Sequence, residues 1–170
     1  MHRSSELREL APVLRDLNRL LLRTGPRQAG IAPLPPSEAD LLRLIVHQPG
    51  LSPGRLAAAM QMKPSNISAA LRHLAELGLV SRQVDPADRR SGRVLPTDRA
   101  VENARRIEDA RARMLEEALG DLAPHQVEAI LRAVPALRAL ERALHARTER
   151  AAGAAGGVAE RPSGRDGKAG

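Results

Sequence analysis

Apolar positions near the start of the chain repeat at alternating spacings of three and four: Leu7, Leu10, Leu14, Leu17 and Leu21. That is one face of a helix, and it predicts a helix from about Ser5 to Arg23. The pattern then stops. Thr24–Pro36 holds four prolines and two glycines in thirteen residues, which predicts a non-helical linker. Ser37 is placed to cap a helix Glu38–His47, with Glu38 and Asp40 in its first turn. Ser52 and Pro53 predict a further start, with a helix running to about Met60. Another opens at Lys63-Pro64-Ser65-Asn66, carries Ile67, Ala70, Leu71 and Leu74 at helical spacing, and stops at Gly78. Leu79, Val80 and Val84, then Val94 and Leu95, flank a turn rich in Pro, Asp and Gly at residues 85–92, which reads as a hairpin. A long helix is expected from about Thr97 to Leu119, with Val101, Ala104, Ile107, Met114 and Leu115 on its apolar side. The last helix is expected from about Pro124, with Val127, Ile130, Leu131, Val134, Leu137, Leu140 and Leu144. Pro135 should kink or split it. Ala123 is a poor cap for its start, a defect that Asp121 could offset. Residues after about Arg150 are rich in Gly and Ala and predict a disordered tail.

Two short capped helices, a turn and a hairpin in succession form a winged helix-turn-helix. The predicted fold class is therefore mainly α with a small β-wing. The chain divides into an N-terminal helix and linker (1–36), a winged region (37–97), C-terminal helices (98–147) and a tail (148–170). The chemistry of the winged region suits double-stranded DNA. The first exposed turn of the second helix offers Lys63, Ser65, Asn66 and Ser68, short hydrogen-bonding groups and a cation that can meet base edges in a major groove. Arg72 and Arg55 are placed for phosphate or base contacts, with Arg82 as a further contact. His73, late on the same helix, can reach a phosphate or simply face solvent. In the hairpin, Arg89, Arg90 and Arg93 fall within five residues on a loop too short to bury them, and guanidinium groups fit phosphates and a narrow minor groove. Asp85 or Asp88 is expected to pair with a neighbouring arginine and hold the hairpin.

Charge placement agrees. The chain carries +7, from 27 basic and 20 acidic residues. Residues 52–96 contribute seven basic against three acidic groups, whereas residues 97–150 balance at ten of each. More than half of the excess lies on the piece that should face a polyanion. The basic groups do not line one face of a long amphipathic helix, which argues against a membrane surface.

The segment LRHLAELGLVSRQVDPADRRSGRVLPT resembles the multiple-antibiotic-resistance regulator (MarR) family of bacterial transcription factors. The resemblance lies in the Leu-x-x-Leu helix end, the Gly-Leu-Val exit, Arg82, the Asp-Pro-x-Asp-Arg-Arg wing and the closing Leu-x-Thr. The upstream SPGRLAAAMQMKPSNISAAL is similar in length and pattern, and helices of suitable length extend the likeness to about residues 5–147. Pro96 departs from the family pattern, as does the lack of a glycine after Thr97. The resemblance implies a homodimer whose terminal helices interlock, through Leu7, Leu10, Leu14, Leu17, Leu21, Val127, Ile130, Leu131, Leu137, Leu140 and Leu144. From the residues alone, any one of these stripes could equally close the chain's own core, but together they offer more apolar surface than a small winged domain can cover. The resemblance also implies a repressor released by a small anionic ligand.

Composition narrows the rest. The chain has 170 residues and 42% apolar content, enough for one domain with a core. Phe, Tyr and Trp are all absent, which suits layered helices better than a sandwich and leaves no ring for an aromatic effector to stack on. An aliphatic effector, or none, is equally open. Cysteine is absent, excluding disulfides, thiolate metal sites and cysteine redox sensing. The five histidines show no ligand spacing, and neither a phosphate loop nor a nucleophile elbow occurs. The expectation is therefore no enzyme, no cofactor, no metal, no membrane span and a cytoplasmic location. Two other functions stay open: a sequence-tolerant architectural DNA-binding protein, and a winged-helix interaction module that does not bind DNA.

Overall fold

A computed structural model describes residues 2–84 and 92–156. The elements run α1 (His2–Gln28), α2 (Pro36–His47), α3 (Pro53–Met60), α4 (Pro64–Glu76), β1 (Val80–Val84), β2 (Gly92–Pro96), α5 (Asp98–Gly120) and α6 (Pro124–Gly156). The architecture is mainly α with one two-stranded antiparallel sheet, a winged helix-turn-helix. Two compact units are present, one ending at Glu117 and one beginning at Ala118.

The core of the first unit lies where α2, α3, α4 and the hairpin meet. Leu41 and Ile45 of α2, Leu56 of α3, and Ile67, Leu71 and Leu74 of α4 are fully buried beside Val94 of β2. Every member is aliphatic. Each such side chain withdrawn from water contributes about 1.5–3 kcal/mol. The i, i+3, i+4, i+7 spacing of Ile67, Ala70, Leu71 and Leu74 puts all four on the buried face of α4, as their sequence pattern predicts.

Several expectations are corrected. The segment after Arg23 is not all linker, because α1 continues through Pro26 to Gln28. Proline removes only the donor that would have met the Leu22 carbonyl, and that loss falls in the last turns of the helix. The end is then closed by Gly30 in the left-handed region (φ 67°). Its N–H donates to the Arg27 carbonyl at 3.0 Å, and the Ile31 N–H donates to the Pro26 carbonyl at 2.9 Å, a Schellman closure. Arginines of α5 complete it: Arg106 Nη2 donates to the Ala29 carbonyl at 2.6 Å and Arg111 Nε to the Leu21 carbonyl at 3.4 Å. Arg111 lies so close to Gly25 that a Cβ there would sit 2.9 Å from its Cγ. On α2, Ser37 is not the cap. The helix begins at Pro36, and the Pro35 carbonyl accepts from the N–H groups of Glu38 and Ala39. Proline's fixed φ pre-sets the first turn without a side-chain cap.

Within α5 the residues that are buried are Ala100 and Ala110, whereas Val101 and Leu115 are exposed. In the second unit, Pro135 does not split the last helix; α6 is assigned continuously across it. A helix of 33 residues survives the loss of one donor to the Leu131 carbonyl. Its start is completed by Gln126, whose Oε1 accepts from the Ala123 N–H at 3.1 Å, so Gln126 takes the part foreseen for Asp121. The tail also begins later than expected. Helix α6 continues past Arg150 to Gly156, in keeping with the high helix propensity of its alanines.

Candidate nucleic-acid interface

The junction between α3 and α4 sets the site. Ser52 caps α3, its Oγ accepting from the Arg55 N–H at 3.3 Å, and Pro53 takes the first helical position. The helix ends at Gln61, whose backbone is left-handed (φ 51°). The Gln61 N–H donates to the Ala58 carbonyl and the Met62 N–H to the Ala57 carbonyl. That closure reverses the chain within two residues and delivers Lys63 in extended conformation (ψ 140°) to the start of α4. The Lys63 carbonyl, not its side chain, caps α4, accepting from the N–H groups of Asn66 at 3.0 Å and Ile67 at 3.2 Å. The ammonium is thereby left exposed.

With its apolar face buried, α4 presents Lys63, Ser65, Asn66, Ser68 and Arg72 to solvent. Ser65, Ser68 and Arg72 spread over the side opposite the core, while Asn66 and His73, seven residues apart, share one flank. His73 makes a long-range contact: its Nδ1–H donates to Glu38 Oε2 of α2 at 2.7 Å. Facing a carboxylate, Nδ1 must be the protonated nitrogen. The Glu38 side chain is 15% exposed and that of His73 is 46% exposed.

Behind α4, Gly78 ends the helix in a second left-handed position (φ 67°). Its N–H donates to the Ala75 carbonyl, and the Leu79 N–H to the Leu74 carbonyl. The hairpin follows with the register Val80↔Pro96, Arg82↔Val94 and Val84↔Gly92. Pro96 is accommodated as the last residue of β2. The hairpin is also bolted to the loop before α3. The Val94 N–H donates to the Leu51 carbonyl at 3.1 Å, and the Gly50 N–H donates to the Val94 carbonyl at 2.9 Å. Val94 itself is 1% exposed. Arg55, Arg82 and Arg93 are exposed, the first on α3 and the others on the two strands. Arg89, Arg90, Asp85 and Asp88 lie outside the described residues.

Residues 32–91 match the sequence model of the MarR family. This segment belongs to the MarR family. The chain is 37% identical over 75 residues to a protein of Thauera aromatica named as a transcriptional regulatory protein for the hcr operon. That match takes in 44% of this chain and 45% of the relative, so the chain spans under half the length of this curated relative. A transcriptional regulator structure from Pseudomonas aeruginosa is similar at 29% identity and a TM-score of 0.66, over 80% of this chain and 96% of that one. A mutant of Staphylococcus aureus MepR, solved bound to an oligodeoxyribonucleotide, shares the fold at 18% identity and a TM-score of 0.58, over 79% and 96% of the two chains.

The MarR-family segment contains α2, α3, α4 and β1, and with them Arg55, Lys63, Ser65, Asn66, Ser68, Arg72 and Arg82. Arg93 falls just beyond it. Glu38 and Leu51, which position α4 and the hairpin, were not singled out as site residues from sequence. Their roles depend on partners 35 and 43 positions away, and no local pattern signals them. Elsewhere in the first unit, an open polar cleft of about 250 Å³ is lined by Gln28, Ala29, Arg106, Asp109 and Arg113. On α5 the Glu102 carboxyl is held below its ordinary range, chiefly by the hydrogen bond from Arg105. That pair is solvated and stands apart from α4. Among the described residues no helix is long and apolar enough to cross a membrane.

Proposed function

We propose that this protein is a homodimeric, sequence-specific DNA-binding transcriptional regulator that represses by occupying a pseudo-palindromic operator. The observation that carries the reading is the outward face of α4. Lys63, Ser65, Asn66, Ser68 and Arg72 lie on solvent while the same helix buries Ile67, Leu71 and Leu74 against its support. Short polar groups on a rigidly backed helix are what a major groove accepts. Arg55, Arg82 and Arg93 add cations; Arg89 and Arg90, outside the described residues, are assigned DNA contacts from the sequence, with Asp85 or Asp88 pairing with a neighbouring arginine. The family membership and the oligodeoxyribonucleotide carried by a MepR relative support the same role.

Dimerisation is assigned to the terminal helices. Helix α1 exposes Leu7, Leu10, Val13, Leu14, Leu17 and Leu20, and α6 exposes Ile130, Leu131, Val134, Leu137, Leu140 and Leu144. Such apolar runs on water mark an interaction surface. Two-fold symmetry would place two copies of α4 on half-sites about one helical turn, roughly 34 Å, apart. No aromatic side chain is available to stack on a releasing ligand, so an aliphatic or other effector, or none, stays equally open.

The test is selection from a random duplex pool with the purified protein at physiological salt. Enrichment of a pseudo-palindrome with half-sites one turn apart is the expected result. Retention without enrichment would replace the reading with an architectural DNA-binding role. A dimer that retains no duplex would mean that the winged fold serves protein contacts.

A further inference from the structure

Helix α4 carries one histidine, and the structure gives it a partner on another element. His73 donates through Nδ1 to Glu38 at 2.7 Å, so the ring is oriented with Nε2 as its remaining polar atom, and the side chain is 46% exposed. It lies on the same flank as Asn66, seven residues on, about 10.5 Å further along the helix axis. A recognition helix lies in the major groove with its N-terminal residues at the base edges, so an exposed side chain two turns after Asn66 on the same flank is carried away from them towards the sugar-phosphate backbone.

We propose that His73 is a phosphate-contacting residue whose ring is charged in the complex, with Glu38 holding Nδ1 and a backbone phosphate taken at Nε2, so that DNA binding takes up a proton. The inference rests on the DNA-reading role assigned above to α4. Imidazole is the side chain whose charge changes between about pH 5 and 8. Only the charged ring donates from both nitrogens. With the carboxylate on one side, a phosphate on the other favours that form. Glu38 alone would face the phosphates as an unfavourable charge, and a charged ring between them removes that repulsion.

The elements packed most closely against α4 are α2, α3 and β1, and Arg99 of α5 reaches the Leu77 carbonyl at its end. Their titratable and charged groups are Glu38, Asp40, Arg43 and His47 on α2, Arg55 on α3 and Arg82 on β1. Asp40 is engaged by Arg43 at 2.6 Å, and His47 Nδ1 by the Arg43 carbonyl at 2.8 Å. Glu38 is the one that contacts His73. On α4 itself, Arg72 and Glu76 are its charged neighbours.

The experiment measures the affinity for a selected duplex between pH 6 and 8 at constant ionic strength. For the native protein, affinity should fall roughly three- to tenfold per subunit as pH rises across that range. His73→Gln keeps a donor for Glu38 but cannot charge. It should bind with a flat pH profile, near the native affinity at the alkaline end. His73→Lys carries its charge throughout and should be flat near the native affinity at the acid end. His47→Gln should keep the native profile. A native profile retained by His73→Gln would overturn the proposal, as would binding of the native protein that does not change with pH. Either result leaves the regulator reading standing. Failure of the native protein to bind any duplex would overturn both.

Discussion

The Thr97 hydroxyl donates to the Gly78 carbonyl at 2.8 Å. The same oxygen accepts from the Ala100 N–H at 3.3 Å, and the Thr97 N–H donates to the Leu79 carbonyl at 3.1 Å. One residue thus caps α5 and ties off the end of α4 through its side chain, and closes the mouth of the hairpin through its backbone. Arg99 reinforces the junction, its Nη1 donating to the Leu77 carbonyl at 3.3 Å.

Replacing Thr97 by Val keeps the shape and removes both hydroxyl bonds. The expected cost is about 1–2 kcal/mol of stability, read from urea unfolding followed by far-UV circular dichroism. Thr97→Ser should recover most of it. A loss for Ser with none for Val would show that the methyl group, and not the hydroxyl, matters here.

Leu74 is fully buried at the centre of the core that backs α4. Leu74→Ala should lose about 2–5 kcal/mol, because the aliphatic neighbours can refill only part of the space. In the same assay, Leu115→Ala, on an exposed position of α5, should change stability by less than about 0.5 kcal/mol if that face is unpartnered under the conditions used.

Asn66 and Arg93 should fail in different ways. Asn66→Ala is expected to cost on the order of 1–3 kcal/mol at particular base pairs and little at others. Arg93→Ala should weaken binding to all sequences and reduce the slope of log affinity against log salt by about one. Fluorescence anisotropy on a panel of duplexes at several salt concentrations separates the two. An Asn66→Ala protein with unaltered base preference would remove α4 from the reading role.

The exposed leucines of the terminal helices give a test of assembly. Leu14→Glu in α1 or Leu137→Glu in α6 should shift the sedimentation coefficient from dimer towards monomer. Neither should lower helix content by far-UV circular dichroism. A native protein that sediments as a monomer at micromolar concentration would dismiss the dimer.

The winged core was legible in the chain because its signals are local. Ser52, Pro53 and Gly78 announce helix ends by their own backbone chemistry, and Ile67, Ala70, Leu71 and Leu74 announce a buried face by spacing alone. What was hidden depends on partners distant in sequence. The extension of α1 through Pro26 is supported by Arg106 and Arg111 on α5, and the hairpin is fixed through Leu51. Alanine misleads in a different way. At Ala100 and Ala110 it is buried, whereas Val101 and Leu115, expected on the apolar side, are exposed. Of the candidate site, the exposed polar face of α4 could be foreseen from its spacing, whereas the Glu38–His73 contact could not.

A core built wholly of Leu, Ile, Val, Ala and Met has an optical consequence. Without Phe, Tyr or Trp, the chain is nearly transparent in the near ultraviolet, so absorbance and intrinsic emission there from a complex with nucleic acid belong to the bases. A single tryptophan introduced at any chosen position would be the sole native-like fluorophore of the protein. Unstacking or bending of a duplex could be followed in base absorbance without a protein signal to subtract.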